Sequence, residues 1–323
     1  MYWSSMFLVV IVGLLFSCKQ KETSVNILDK VSLNNEVSEK TYYNTKHLIE
    51  AEELLQIYEE ENIVIIDFSK PDLYKDEHII GALNIWRSDI EDTTFAYKGM
   101  MADKETVEKL FSRLGIKNDD LLIIYDNRGA CDAARLWWVL QNYGFDKVKL
   151  LNGGSDVWKH VGGEVTSEII DKEVSEFILP DNPSYKYYLS KEEMQLAVNS
   201  PVIILDTRTL DEYSGKRQKS EAYKGGRILN SQLIDWAEAI DFNGTKKFKS
   251  VTDLEDIYGR LNASETDLIY VYCHSGVRSA HTTFVLTQLL GYKNVKNYDG
   301  SWIEWSYFEE LPFVQDSVTI VNK

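Results

Sequence analysis

Two stretches decide the fold: NYGFDKVKLLNGGSDVW (residues 142–158) and LLGYKNVKNYDGSWIEW (residues 289–305). They superimpose with Gly144 on Gly291, Val148 on Val295, Gly153 on Gly300 and Trp158 on Trp305, always 147 positions apart. Upstream, IVIIDFSKPDLY (Ile63–Tyr74) matches VIILDTRTLDEY (Val202–Tyr213) at a spacing of 139, so a few residues are inserted in the second copy. Self-similarity of this kind marks a tandem duplication. The chain length of 323 residues fits two domains of about 150 each.

Within each copy, short apolar runs rich in β-branched and aromatic residues (Ile63–Ile66, Leu121–Ile124, Val202–Leu205, Leu268–Tyr272) alternate with helical patterns. Runs without polar alternation predict parallel strands covered on both faces, hence an α/β sheet with crossover helices. The acidic segment Glu164–Tyr188, with Pro180 and Pro183, reads as the linker between copies.

A formal charge of -16 argues against nucleic-acid partners, which would be repelled at long range, so an anionic substrate needs a local basic pocket. Residues 1–17 carry an apolar run from Met6 to Phe16, long enough for a signal-peptide core and too short for the roughly 18 to 20 residues of a spanning helix. They read as an export signal. Leu15-Phe16-Ser17-Cys18 resembles the bacterial lipoprotein signal, which implies lipidation of Cys18; plain secretion and an uncleaved anchor are the alternatives. Residues 18–45, polar and rich in Lys, Glu, Ser and Asn, read as a solvated stalk. The three cysteines form no disulfide framework, and the five histidines show no metal-ligand spacing, so neither metal nor cofactor is expected.

Cys273 ends the run Leu268–Tyr272, where an open parallel sheet places its ligands. The following turn, 274–278, and the helix beginning near Gly276 bring several N–H groups toward one centre. A free thiol is only about 3% ionised at pH 7, so a reactive Cys273 needs this cradle and Arg278 to lower its pKa. Four residues separate Cys273 from Arg278, one fewer than in the phosphate-sized loop of protein tyrosine phosphatases. A smaller ring suits a single sulfane sulfur on the thiol, a persulfide.

These residues resemble the rhodanese, or sulfurtransferase, family across nearly all of residues 45–315. The second copy is similar to a catalytic rhodanese half in LDTRTLDEYSG (Leu205–Gly215), GGRI (Gly225–Ile228), CHSGVRSAHT (Cys273–Thr282) and YDGSWIEW (Tyr298–Trp305). The first is similar to the non-catalytic half in EHIIGALNI (Glu77–Ile85), YDNRGACDAARLWWVL (Tyr125–Leu140) and LLNGGSDVW (Leu150–Trp158). The resemblance implies an α/β chain of two tandem rhodanese-like domains, each a mainly parallel sheet with helices on both faces: a silent domain at 46–165, a linker at 166–187 and a catalytic domain at 188–323. In the repeat Asp126 takes the place of Cys273, and a carboxylate cannot carry sulfane sulfur. Cys131, aligned with Arg278, reads as a buried helix residue.

The resemblance further implies ping-pong sulfur transfer from thiosulfate to cyanide or a thiol through a Cys273 persulfide. His274, Ser275, Gly276, Val277 and Arg278 would form the binding loop, and Asp206 and Arg208 would support it. Vertebrate-type relatives carry an arginine clamp where this chain has Glu212, which leaves Arg217 and Arg227 as candidate clamps. Mercaptopyruvate as donor, a non-enzymatic thiol-sensing or binding module, a phosphatase-like enzyme of the same fold, and persulfide delivery to an acceptor protein are the alternatives. Export implies a cell-envelope, periplasm-facing location with membrane attachment through the lipid.

Overall fold

A computed structural model describes residues 40–316. The expected export signal, Cys18 and the stalk up to residue 39 lie outside the described residues. Among the described residues, no helix is long and apolar enough to cross a membrane.

Each copy folds around a five-stranded sheet in which every neighbouring pair is parallel. In the first copy the order across the sheet is Leu48–Ile49, Val148–Leu151, Leu121–Tyr125, Ile63–Asp67, Leu83–Asn84. The second repeats it as Tyr188–Leu189, Asn294–Tyr298, Leu268–Tyr272, Ile203–Asp206, Gln232–Leu233. Sequence reading located four of the six inner strands and gave no range for Val148–Leu151 or Asn294–Tyr298; the two-residue edge strands are too short to leave a periodic signal. Ile63–Asp67 is buried along its whole length, as expected of a strand covered on both faces.

The outer face of each sheet closes a separate apolar cluster. Ala51, Leu54 and Trp158 fill one, and Met194, Trp302 and Trp305 the other. The inner faces share a single core. The helices Ala133–Asn142 and Val277–Phe284 occupy equivalent places in the two copies and pack against each other there. Trp137 meets Phe284 edge-on at 4.9 Å between ring centroids, and Phe284 stacks on Phe248 at 5.5 Å. Beyond Phe284 the chain widens into a π-helical turn over Val285–Leu289.

Two boundaries differ from the sequence reading. The stalk expected to reach residue 45 is already held from Tyr42, whose hydroxyl donates to Lys249 O at 2.9 Å, and Tyr43 N–H donates to Leu289 O at 2.9 Å. The linker is a strap laid on the first domain, because Phe177 and Leu179 are buried and Phe177 packs 4.9 Å from Phe111. Polar composition concealed these anchors, since a few well-placed apolar residues suffice to hold a segment down.

Shortening the inter-domain contact should loosen both halves together. Phe284→Ala is expected to cost about 3 to 5 kcal/mol, read as a lower urea midpoint with one cooperative transition. A change within 0.5 kcal/mol would show that the shared core does not couple the domains.

Candidate active site

At the end of Leu268–Tyr272 the chain turns through Cys273, His274, Ser275 and Gly276 before the helix Val277–Phe284 begins. Gly276 has φ +72, and a Cβ there would meet Asp299 O at 2.6 Å and the Arg135 guanidinium at 2.7 Å, so only glycine fits. The Cys273 sulfur is buried at the floor of a cavity of about 270 Å³ between the domains. The Ser279 hydroxyl donates to it at 3.3 Å. Burial alone would push the Cys273 thiol up, but Arg278 and the hydrogen bonds from Ser279 and the Ser275 backbone outweigh it and hold the thiol below its ordinary value.

The cradle is narrower than the expected run of N–H groups over 274–278. Gly276 N–H turns away and donates to Ser301 Oγ at 3.0 Å, as does Cys273 N–H at 3.2 Å.

Arg278 is clamped by Glu212 through two parallel bonds of 2.7 and 2.8 Å. Glu212 also closes the capping box of Leu210–Ser214, its carboxylate accepting from the Thr209 hydroxyl at 3.1 Å. Against the burial that would raise it, Arg278 and Arg208 hold the Glu212 carboxyl down to about 2. The guanidinium is therefore shared between a permanent anion and the sulfur.

Asp206 and Arg208 form a buried pair, 2.6 Å apart, and Arg208 also donates to Gly226 O at 2.7 Å. They brace the strand end and the segment 215–226 and do not line the cavity. The His274 ring nitrogen Nε2 lies 3.0 Å from Ser220 O, so it carries the hydrogen and ties that segment to the loop. Burial, Lys219 and Arg278 hold His274 down to about 3, which leaves it neutral, with Nδ1 as a buried lone pair that has no partner among the described residues.

Of the two candidate clamps, Arg217 lines the cavity and Arg227 does not. Arg227 is turned to the far side, paired with Asp316 at 2.9 Å and stacked over Tyr213. Lys219, on the same segment as Arg217, also lines the cavity, and partial burial and Arg278 lower its pKa. Neither Arg217 nor Lys219 has an acidic side-chain partner among the described residues.

The first domain supplies two cations that sequence reading missed, Arg87 and Arg128. Asp132, buried at 1% exposure, holds both: Arg87 Nε donates to one oxygen at 2.7 Å and Arg128 to the other at 2.9 Å. Arg87 lies in no motif and Arg128 within the YDNRGACDAARLWWVL stretch, where nothing marks it as facing the other domain; only the juxtaposition of the two copies brings them to Cys273.

The silent loop answers what its carboxylate is for. Asp126 accepts from the N–H groups of Arg128 and Ala130 at 2.7 and 2.9 Å, and from those of Asp132 and Ala133 at 2.6 and 2.8 Å. It fills the anion cradle of the first copy with a tethered anion. Burial and the Asp132 carboxylate push Asp126 up to about 6. Cys131 is inert in this setting, because burial and the two carboxylates raise its thiol well above the ordinary value.

Two parallel α/β sheets joined by one core, with a low-pKa cysteine in the anion-binding turn of one and a carboxylate in that of the other, define a tandem-domain protein with a single thiol site. The rhodanese-like domain family matches residues 50–160 and 190–307, and the chain belongs to that family. It is 32% identical over 259 residues to a thiosulfate sulfurtransferase of Corynebacterium glutamicum, covering 74% of this chain and 80% of that one. It is similar to the solved structure of SseA from Escherichia coli, described under 3-mercaptopyruvate sulfotransferases, with a TM-score of 0.70, 26% identity and coverage of 79% of this chain and 98% of that one. Tum1 of Saccharomyces cerevisiae shares the fold, with a TM-score of 0.74 at 22% identity over 83% of this chain and 97% of that chain.

Asp126→Asn would aim an NH2 group at two of the four donors. A loss of roughly 3 kcal/mol is expected in urea unfolding at pH 8, and a loss below 0.5 kcal/mol would mean that the cradle does not need its anion.

Proposed function

We propose that the protein is a thiosulfate sulfurtransferase whose sulfur carrier is Cys273. The observation that carries this reading is a buried thiol held below its ordinary pKa, in a turn whose sister turn already holds an anion on four N–H groups. The repeat pairs Arg128, Ala130 and Asp132 of that cradle with Ser275, Val277 and Ser279, whose N–H groups would receive an anion carried on Cys273.

In the first step the Cys273 thiolate attacks the outer sulfur of thiosulfate. A new S–S bond forms at Sγ, the old S–S bond breaks, and sulfite leaves with its electron pair. The persulfide then gives its outer sulfur to cyanide or a thiolate, which restores the Cys273 thiolate. Arg278 and the helix N-terminus stabilise negative charge on sulfur in both steps. His274 is neutral and serves as a tether for the segment bearing Arg217 and Lys219 rather than as a base. The similarity to the Corynebacterium glutamicum enzyme supports thiosulfate as donor. Mercaptopyruvate is a second reading, favoured by the SseA likeness and by two rim cations suited to a carboxylate.

Mass spectrometry separates the readings. Thiosulfate should add about 32 Da to the wild-type chain and nothing to Cys273→Ser, and cyanide should remove the gain as thiocyanate. A gain from mercaptopyruvate alone would transfer the assignment to that donor; no gain from either would leave a thiol-binding module.

The leader supports a second proposal: an exported, periplasm-facing lipoprotein anchored through Cys18. The parent chain should take up labelled fatty acid and Cys18→Ala should not, and a parent without label would reject the lipid anchor.

A further inference from the structure

A second cavity, of about 440 Å³, adjoins the one above Cys273 and shares Arg87, Ser275 and Val277 with it as walls. We infer that this larger cavity is the acceptor subsite, and that it takes the body of a small amino-acid or peptide thiol bearing both carboxylate and ammonium groups. The inference rests on the persulfide reading above.

The geometry of the reaction requires such a place. Sulfite departs, and the acceptor thiolate arrives, along the same line through the outer sulfur of Cys273. The reacting atoms of donor and acceptor therefore use the same space in turn. A few-atom donor needs no more than the cavity at Cys273, whereas an organic thiol must lodge the rest of its structure next door.

The lining specifies its chemistry. Lys70, at the N-terminus of Pro71–Asp76, is exposed and has no acidic partner among the described residues, so its ammonium is free for a carboxylate. Arg87 adds a second cation, with its guanidinium 5.3 Å from the Trp86 ring centre. Glu91 accepts from Gly99 N–H at 2.7 Å through one oxygen, leaving the other for an ammonium group. The Lys98–Glu221 pair, at 2.7 Å, joins the loops of the two domains and closes the wall. Lys70, Arg87 and Glu91 all belong to the first domain, so the domain without a sulfur carrier would choose the acceptor.

In the acceptor step RSH loses its proton to solvent and RS⁻ attacks the outer sulfur. The S–S bond to Sγ breaks, its electron pair returns to Cys273, and RSS⁻ leaves.

The test uses the full-length protein, thiosulfate as donor, and glutathione, cysteamine or cyanide as acceptor. Glutathione has two carboxylates and an ammonium; cysteamine has no carboxylate. Lys70→Glu should lower the ratio of kcat/KM for glutathione to kcat/KM for cyanide by about tenfold, through KM, with Lys70→Gln between it and the parent. The cysteamine-to-cyanide ratio should not fall. Because Lys70 is exposed, thermal unfolding should match the parent. A glutathione ratio within about twofold of the parent, an equal fall with cysteamine, or a parent active with cyanide and inert with glutathione would overturn the subsite and leave the sulfurtransferase reading intact. Failure of the parent with every acceptor, cyanide included, would reject both.

Discussion

A parallel strand that turns directly into a helix gathers backbone N–H groups that no carbonyl can reach, and those donors need an anion. In this protein the same turn occurs twice and meets the need in two ways. Asp126 supplies a carboxylate tethered to the chain that satisfies four donors from within. Cys273 supplies an anion only when its proton is gone, and the positive turn together with Arg278 favours that loss. The property that stabilises one domain is thus the property that activates the thiol of the other.

The silent turn has a further effect on the live one. By fixing Asp126, it fixes the start of the helix that presents Asp132, and Asp132 holds Arg87 and Arg128 beside the Cys273 cavity. Three residues later in the same helix, Arg135 crosses the interface to Asp299 at 2.6 Å and to Gly99 O at 2.9 Å, stacked over Trp138. Both partners of that ion pair are buried, so neither could be lost alone without leaving an uncompensated charge. Close approach is reciprocal: Gly129 faces Ile240 of the second domain, and its repeat equivalent Gly276 faces Arg135 of the first. A pair of turns that must each touch the opposite domain ties the shape of the active loop to the presence of both halves.

The duplication, four of the six inner strands and the Cys273 turn were legible in the sequence because each leaves a local mark: a repeated string, an unbroken apolar run, or a cysteine, glycine and arginine at fixed spacing. Arg87 and Lys219 left none, and Arg128, though inside a repeated string, carried no sign of its role, since all three positions depend on how one copy faces the other and on the path of an irregular segment. Arg227 was misread for the same reason. It is one residue from the segment Arg208 braces, but strand alternation and Asp316 turn it away. Glu212 was visible as a departure from an arginine; its partnership with Arg278 required the fold.

Charge gives the site its selectivity by distance. A net charge of -16 repels anions from the molecule as a whole, so a donor or acceptor gains from the site only within about 10 Å, the screening length at 0.1 M salt. Inside that radius three cations already have an acidic partner, Arg278 in Glu212 and Arg87 with Arg128 in a shared Asp132. Matched cations orient a ligand without trapping it, which suits a turnover that must release sulfite from the same space the next substrate enters. Arg217 and Lys219 at the mouth of the Cys273 cavity, and Lys70 at the adjoining one, remain unmatched among the described residues. Attraction is therefore concentrated at the two entrances, while the sulfur chemistry proceeds among cations already tied to Glu212 and Asp132.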